Sequence, residues 1–394
     1  MNHFHSYINT ARQVLSLYRG EEPLASFLKR FYSSNKKYGS KDRKQISHFC
    51  YCYFRIGKLS ISSEADERIL LGLFLCSSQS QEILAFLRPE WNDRVTLAAG
   101  EKLDYLGLSA SEIFPFADTL SEGVDSDAFR LSHLQQPDLF LRVRPGHEEK
   151  VAHKLNSAGI AFRMIRPDCL ALPNGSSIDS VVELNREAVV QDLSSQQVLH
   201  SLKEPPVDAT LIADTTLSVW DCCAASGGKS IMLFDIFRTL RLTVSDIRES
   251  ILINLRKRFR EAGIRSYTSF VADLTQPGHQ LPKGKFNIVL ADVPCSGSGT
   301  WARTPEQLYF YDEEKTKSYA DLQEKITMNI LDHVEPGGLL LYITCSVFKK
   351  ENEDRVSSLQ SQAGFELLSN GIIAGYDRKA DTMYAALLRR VLGQ

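Results

Sequence analysis

Two cysteines in two short motifs are the residues best suited to do chemistry. Cys295 lies in Asp292-Val293-Pro294-Cys295-Ser296-Gly297, and Cys345 lies fifty residues later in Thr344-Cys345-Ser346. Each motif follows an apolar run that reads as a buried strand, 286–290 before the first and 338–343 before the second. Strand ends in an open α/β sheet meet the ligand crevice. Either cysteine alone would more often be a small buried residue. Two thiols at two such ends point instead to covalent attack by a thiolate.

A second candidate site is rich in glycine. Cys222-Cys223-Ala224-Ala225-Ser226-Gly227-Gly228-Lys229-Ser230 follows a strand and opens a helix. Small residues there let backbone N–H groups approach a ligand at the helix N-terminus. Asp246 follows the next strand, where an acid can hydrogen-bond a ribose diol. Asp273 follows the third, where an adenine amino group could be met. Loop, acid and acid in this order outline an adenosyl-ligand site. The plainer alternative is a turn glycine and two helix-capping acids. A nucleotide triphosphatase is the rival, since Gly228-Lys229-Ser230 ends like a P-loop and 288–292 ends on Asp292. That loop needs glycine where Cys223 stands, and it leaves Cys295 and Cys345 without a task. Gly297-Ser298-Gly299 lacks the spacing of a hydrolase elbow. The cysteines lack the paired spacing of a zinc site, so no metal is expected. Cys50, Cys52, Cys76 and Cys169 read as small buried residues.

These candidates need a sheet to hold them. Over 205–394, apolar runs at 218–222, 242–245, 269–272, 286–291, 338–343 and 384–388 alternate with helical patterns at 229–239, 247–262, 319–333 and 350–362. That rhythm predicts an α/β, doubly wound, mainly parallel Rossmann-like sheet. Residues 131–204 read as a small α/β unit, with strands at 139–144, 161–165 and 169–172. Its helices are expected at 148–158 and 191–202, with a linker at 204–207. Residues 1–130 show three- and four-residue apolar spacings (Leu24, Phe27, Leu28, Phe31; Ile46, Phe49, Cys50, Tyr53), which predict an all-α domain. Gly39-Ser40-Lys41-Asp42 is placed to break one helix and cap the next.

The chain of 394 residues is 43% hydrophobic and 24% charged, with a net charge of -2. These are the proportions of an ordinary soluble globular protein. No run is long enough to span a membrane and no signal-peptide layout opens the chain, so a cytoplasmic protein is expected. The even balance hides a polarity: 1–60 carries eleven Lys and Arg against three acids, while 61–130 carries thirteen acids against five bases. A basic face can hold phosphates, although a solvated helix surface explains it equally well.

The ordered motifs resemble the Nop/Sun family of RNA cytosine-C5 methyltransferases, in its RsmB/Sun-like bacterial ribosomal RNA branch. Asp221 to Ser230 is similar to D-x-C-A-A-P-G-G-K-T, Asp292 to Gly299 to D-A-P-C-S-G-x-G, and Tyr342 to Ser346 with Glu351-Asn352-Glu353 to Y-S-T-C-S…E-N-E. Gln191 to Gln196 resembles Q-D-x-S-S-Q. Ser226 replaces the loop proline, which should loosen the turn, and Arg144-Pro145 stands where the family usually has Asn. The resemblance implies a NusB-like helical RNA-binding domain (1–130), an RNA-recognition-like unit (131–204) and a catalytic domain (205–394). It implies S-adenosyl-L-methionine held by Cys223, Ala224, Ala225, Ser226, Gly227, Gly228, Lys229, Asp246, Asp273 and Asp292. It assigns attack on cytosine C6 to Cys345 and product release to Cys295. Asp292 would meet the cytosine N3/N4 edge, and Lys229 would lower the thiolate pKa or orient the base. The implied partner is RNA, 16S rRNA first and tRNA second, with no membrane partner and a monomeric enzyme. A non-catalytic RNA-binding assembly factor is the alternative of a different class.

Overall fold

The computed structural model describes residues 3–59, 64–202, 216–237, 239–276 and 281–391. The linker expected at 204–207 lies outside them. The chain divides into two compact units. One comprises Met1–Leu120, Asp125–Gln136 and Thr300–Asp312; the other comprises Ser121–Val124, Pro137–Gly299 and Glu313–Gln394.

The first unit is helical, as the apolar spacing predicted. His3–Leu17, Leu24–Ser34, Ser40–Arg55 and Ala65–Cys76 are its longer helices. Each of the first three buries one stripe, for example Leu24, Leu28 and Tyr32, or Ile46, Phe49 and Cys50. Asp42 closes the start of Ser40–Arg55 by accepting the Gly39 N–H at 2.9 Å. Cys50, Cys52 and Cys169 are buried, and Cys76 is partly exposed. The segment Thr300–Asp312, which follows the Cys295 motif in the chain, belongs to this unit. Arg55, 4% exposed, donates to the carbonyls of Gln135 at 2.9 Å and Ala302 at 2.7 Å. Lys58 binds the carbonyls of Tyr309 and Tyr311.

His133 is buried beside Arg55 and stacks on Phe114 at 5.7 Å, and neither ring nitrogen has a hydrogen-bond partner among the described residues. Burial, reinforced by the Arg55 charge, pushes its pKa down from 6.5 to about 3. The unfolded chain therefore binds one more proton than the folded one between those values. Stability present above pH 6.5 is lost as the pH falls, by about 1.4 kcal/mol per pH unit. Asp221 contributes with the opposite sign over part of this range, so the slope is read as the difference between wild type and His133→Phe in denaturant titrations at pH 7, 6 and 5.

The second unit holds two sheets. The smaller has strands β1 (Leu139–Val143), β2 (Arg163–Arg166), β3 (Cys169–Leu172) and β4 (Ala188–Val190) in the order β2-β3-β1-β4, with antiparallel pairing throughout. Helix Glu148–Ser157 packs Val151 and Leu155 against it. The helix expected at 191–202 is not there. Turns run from 193 to a short 3₁₀ segment, His200–Leu202, because side chains compete for the backbone. Gln196 donates to the Gln191 carbonyl, Asp192 caps the Ser194 N–H, and Ser194 reaches the Asp381 carbonyl.

The larger sheet comprises β5 (Leu217–Asp221), β6 (Leu240–Asp246), β7 (Tyr267–Val271), β8 (Phe286–Asp292), β9 (Val334–Thr344), β10 (Phe365–Ile373) and β11 (Met383–Arg390). Their order is β10-β11-β9-β8-β5-β6-β7. Pairs from β7 to β9 are parallel, and β11 pairs antiparallel with both β9 and β10. This is the doubly wound, mainly parallel sheet the sequence predicted, with one unforeseen edge strand. β10 carries Ser369-Asn370-Gly371 within it, with a bulge after Leu367. Helices Gly228–Ile236 and Glu249–Ala262 cover one face, and Glu313–Ile330 and Glu353–Ala363 the other. Winding outward in both directions from the β5/β8 pair opens a crevice at the strand C-termini.

Candidate active site

Every strand from β5 to β9 delivers a candidate residue to that crevice. A cavity of about 480 Å³ opens there, lined among others by Cys223, Ala225, Asp246, Asp273, Asp292, Cys295 and Cys345. The Cys222–Gly228 turn forms because Gly227 is left-handed, with φ +82°. A Cβ at Gly227 would also stand 2.7 Å from the Phe259 ring, so only glycine lets the turn sit this close to helix Glu249–Ala262. Below the turn, the buried Asp221 accepts the Ser230 hydroxyl at 2.6 Å. Burial is the chief cause of its pKa rising to about 7.

The two acids are already engaged. Asp246 accepts the Ala225 N–H at 3.0 Å, which locks the turn to the end of β6. Its other oxygen takes the Arg248 N–H and guanidinium, at 3.0 and 3.1 Å. Asp273 caps the turn after β7 by accepting the Thr275 N–H and hydroxyl. Each therefore closes a turn while also lining the cavity, and among the described residues neither caps a helix as the plainer alternative supposed.

The thiols are neighbours. Cys295 Sγ and Cys345 Sγ lie 3.3 Å apart, both partly exposed, and both are free. The Cys345 N–H also donates to Cys295 Sγ at 3.3 Å. The bond to Cys345 is the largest cause, ahead of burial, that holds the Cys295 pKa well above the usual thiol value. Cys295 is therefore the sulfur that keeps its proton. Lys229 reaches across from the start of its helix to Asp292, Nζ to Oδ2, at 2.6 Å. Burial works against the ammonium, but Asp292 and then Cys345 outweigh it, and the Lys229 pKa is raised.

A family model described as "16S rRNA methyltransferase RsmB/F" matches residues 210–388. Residues 210–388 are thus similar to that family. A ribosomal RNA small subunit methyltransferase B of Xylella fastidiosa is 29% identical over 241 residues, 60% of this chain and 54% of that protein. One from Klebsiella pneumoniae is 26% identical over 270 residues, 65% of this chain and 60% of that protein. The chain thus spans little more than half the length of these curated relatives. Among solved structures, the protein PH0851 has a TM-score of 0.69 at 18% identity, covering 98% of both chains. NSun6 from Pyrococcus horikoshii has a TM-score of 0.57 at 14% identity, covering 68% of this chain and 95% of its own. At such identities the likeness carries the fold alone.

Two features differ from what the RsmB/F pattern led us to expect. Ser226, in the position of the family proline, does not leave the turn loose. Arg258 Nη1 donates to its carbonyl at 2.9 Å and its hydroxyl at 2.6 Å, while Arg258 Nε holds Asn185. Arg144, which replaces the family Asn, is structural. With Arg142 it grips Asp235, at 2.7 and 2.6 Å, and so fastens the small sheet to helix Gly228–Ile236. Sequence reading also missed Gln323, which supports the Cys295 turn, and quoted Ser296, Ser298 and Ser346 without seeing that they tie the two cysteine turns together. Glu351 stood in a quoted motif with no task attached.

Gly299 shows how tightly these turns are built. Its N–H donates to the Cys345 carbonyl at 2.9 Å, and a Cβ there would lie 2.0 Å from the Thr382 carbonyl oxygen. No helix among the described residues is long and apolar enough to cross a membrane.

Proposed function

We propose that this chain is an S-adenosyl-L-methionine-dependent RNA (cytosine-C5) methyltransferase acting on small-subunit ribosomal RNA. The observation that carries the reading is the 3.3 Å approach of Cys295 and Cys345 in the wall of a cavity that also holds Asp246, Asp273 and Asp292. The RsmB/F match and the names of the relatives support the substrate class. The basic first sixty residues of the NusB-like domain suit an RNA partner.

The residues present fit the cofactor. The cavity is of a size usual for small-molecule sites. Its wall includes Cys223 and Ala225, and Ala224, Ser226, Gly227 and Gly228 complete the turn that would hold the methionine end. Asp246 would accept the ribose diol and Asp273 the adenine amino group. S-adenosyl-L-methionine supplies an electrophilic methyl group when bound.

Cytosine C5 is not nucleophilic until something adds at C6. Cys345, as thiolate, forms the S–C6 bond, and the C5–C6 π pair becomes available at C5. Asp292 accepts from the exocyclic amine at the N3/N4 edge. Lys229, kept charged by Asp292, offsets the negative charge that moves onto the ring. Once C5 carries its methyl group, Cys295, which has first released its own proton to solvent, takes the C5 proton as a thiolate. The C5–C6 double bond re-forms, and the S–C6 bond breaks to return the Cys345 thiolate. Neither sulfur can reach a base inside a duplex, so the target is unpaired or flipped out.

Tritiated methyl transfer from S-adenosyl-L-methionine to total RNA, with bisulfite sequencing of RNA from a deletion strain, tests the reading. A single lost 5-methylcytosine in 16S rRNA is the expected result. Loss confined to tRNA would change the substrate, and absence of transfer would favour an RNA-binding assembly factor. Asp246→Ala should weaken cofactor binding roughly ten- to a hundredfold in calorimetry, the worth of a charge-assisted hydrogen bond plus the loop tie.

A further inference from the structure

We propose that Glu351 is a positioning residue for the two sulfurs. One buried carboxylate ties the turn after Cys295 to the turn after Cys345, and thereby fixes both their separation and the order in which they act. Glu351 is 0% exposed and ends a short 3₁₀ segment, Lys349–Glu351. From the Cys295 side it accepts the Ser296 N–H at 2.7 Å and the Ser296 hydroxyl at 2.5 Å. From the Cys345 side it accepts the Ser346 hydroxyl. Gln323 adds a fourth donor at 3.2 Å. Ser296 and Ser346 directly follow the two cysteines and their hydroxyls lie 3.2 Å apart, so the carboxylate clamps together two turns that already touch.

A buried carboxylate is costly and is tolerated where several donors satisfy it. Here four donors do so, and burial still raises the pKa above the usual carboxylate value. An apolar residue would fill the space at lower cost, but it could not grip both turns. The Glu351 charge also opposes ionisation of Cys295, adding to the effect of Cys345. The same group therefore sets the geometry of the pair and keeps the proton on Cys295, leaving Cys345 as the sulfur ready to attack.

The inference rests on the proposed function for the meaning of that order, but its test needs neither RNA nor cofactor. The full chain is treated with iodoacetamide at pH 7.5, and the modified peptides are quantified by mass spectrometry. In the wild type Cys345 should react well before Cys295. In Glu351→Gln the preference should shrink by about tenfold, the scale expected for losing a buried charge-assisted hydrogen bond. Ser346→Ala removes one strand of the tie while keeping the charge, and should shrink the preference by about threefold, the worth of part of a hydrogen bond. Circular dichroism establishes that each variant is folded. A folded Glu351→Gln with unchanged preference overturns the proposal, because a residue that only stabilises the fold would lower the melting temperature and leave the sulfurs as they were. Should Glu351→Gln fail to fold, an unchanged preference in Ser346→Ala overturns it. Failure of the wild-type chain to methylate RNA would instead sink the functional reading, and the alkylation result would stand independently.

Discussion

Cys345→Ala ends methyl transfer while leaving the cofactor site intact. Turnover should fall by about 10⁴-fold or more, as expected when the nucleophile of a covalent mechanism is removed. The reason lies in the substrate: without an S–C6 bond the C5 carbon has no electron pair to offer, and no other residue can take over. Cys295 is 3.3 Å away but retains its proton, and it projects from the neighbouring turn. The hydrogen bonds that shape the cofactor turn, from Ala225 to Asp246 and from Arg258 to Ser226, do not involve Cys345. Affinity for S-adenosyl-L-methionine should therefore change by less than about threefold, within the scatter of a surface substitution. Single-turnover assays with tritiated donor, paired with calorimetry, measure both. Retained turnover would mean that the attacking group has been wrongly assigned.

How much of this was legible in the sequence depends on the range of the interaction. Strand runs such as 286–291 and the alternating helices gave away the sheet, because burial on both faces leaves an unbroken apolar signature. The cysteines, Asp292 and the glycine turn were legible because each sits at a strand end, and Lys229 because it opens the helix after that turn. The links between them were not. Arg258 lies on the helix after β6 and gives no local sign that it will hold Ser226. Glu351 looks like any helix-starting acid until Ser296 and Ser346 fold onto it. The excursion Thr300–Asp312 into the helical unit was equally hidden, since the Glu306 carboxylate and the carbonyls of Ala302 and Tyr311 accept from Leu24, Arg55 and Lys58, hundreds of positions away. Propensity misled at 191–202, where Asp192, Ser194 and Gln196 spend their side chains on nearby backbone, and no helix forms.

Cys295→Ala should do the opposite of Cys345→Ala and trap the reaction after its first half. Cys345 can still add to C6 and C5 can still be methylated, but the proton on C5 has no sulfur to receive it, so the S–C6 bond persists. The geometry also explains why Cys295 is idle at the outset and competent later. Its proton is held in place chiefly by the neighbouring Cys345 sulfur. When that sulfur becomes a thioether, its charge is gone and the main obstacle to ionising Cys295 goes with it. Glu351 remains, and a thiolate beside a buried carboxylate is a stronger base. Incubation of Cys295→Ala with RNA and donor should give a protein–RNA band that survives denaturing electrophoresis, with one methyl group per trapped complex. Multiple turnover should fall by about 10²- to 10⁴-fold, the usual worth of a general base. A Cys295→Ala chain that released product at the wild-type rate would show that water or Asp292 removes the proton, and the second sulfur would then be a spectator.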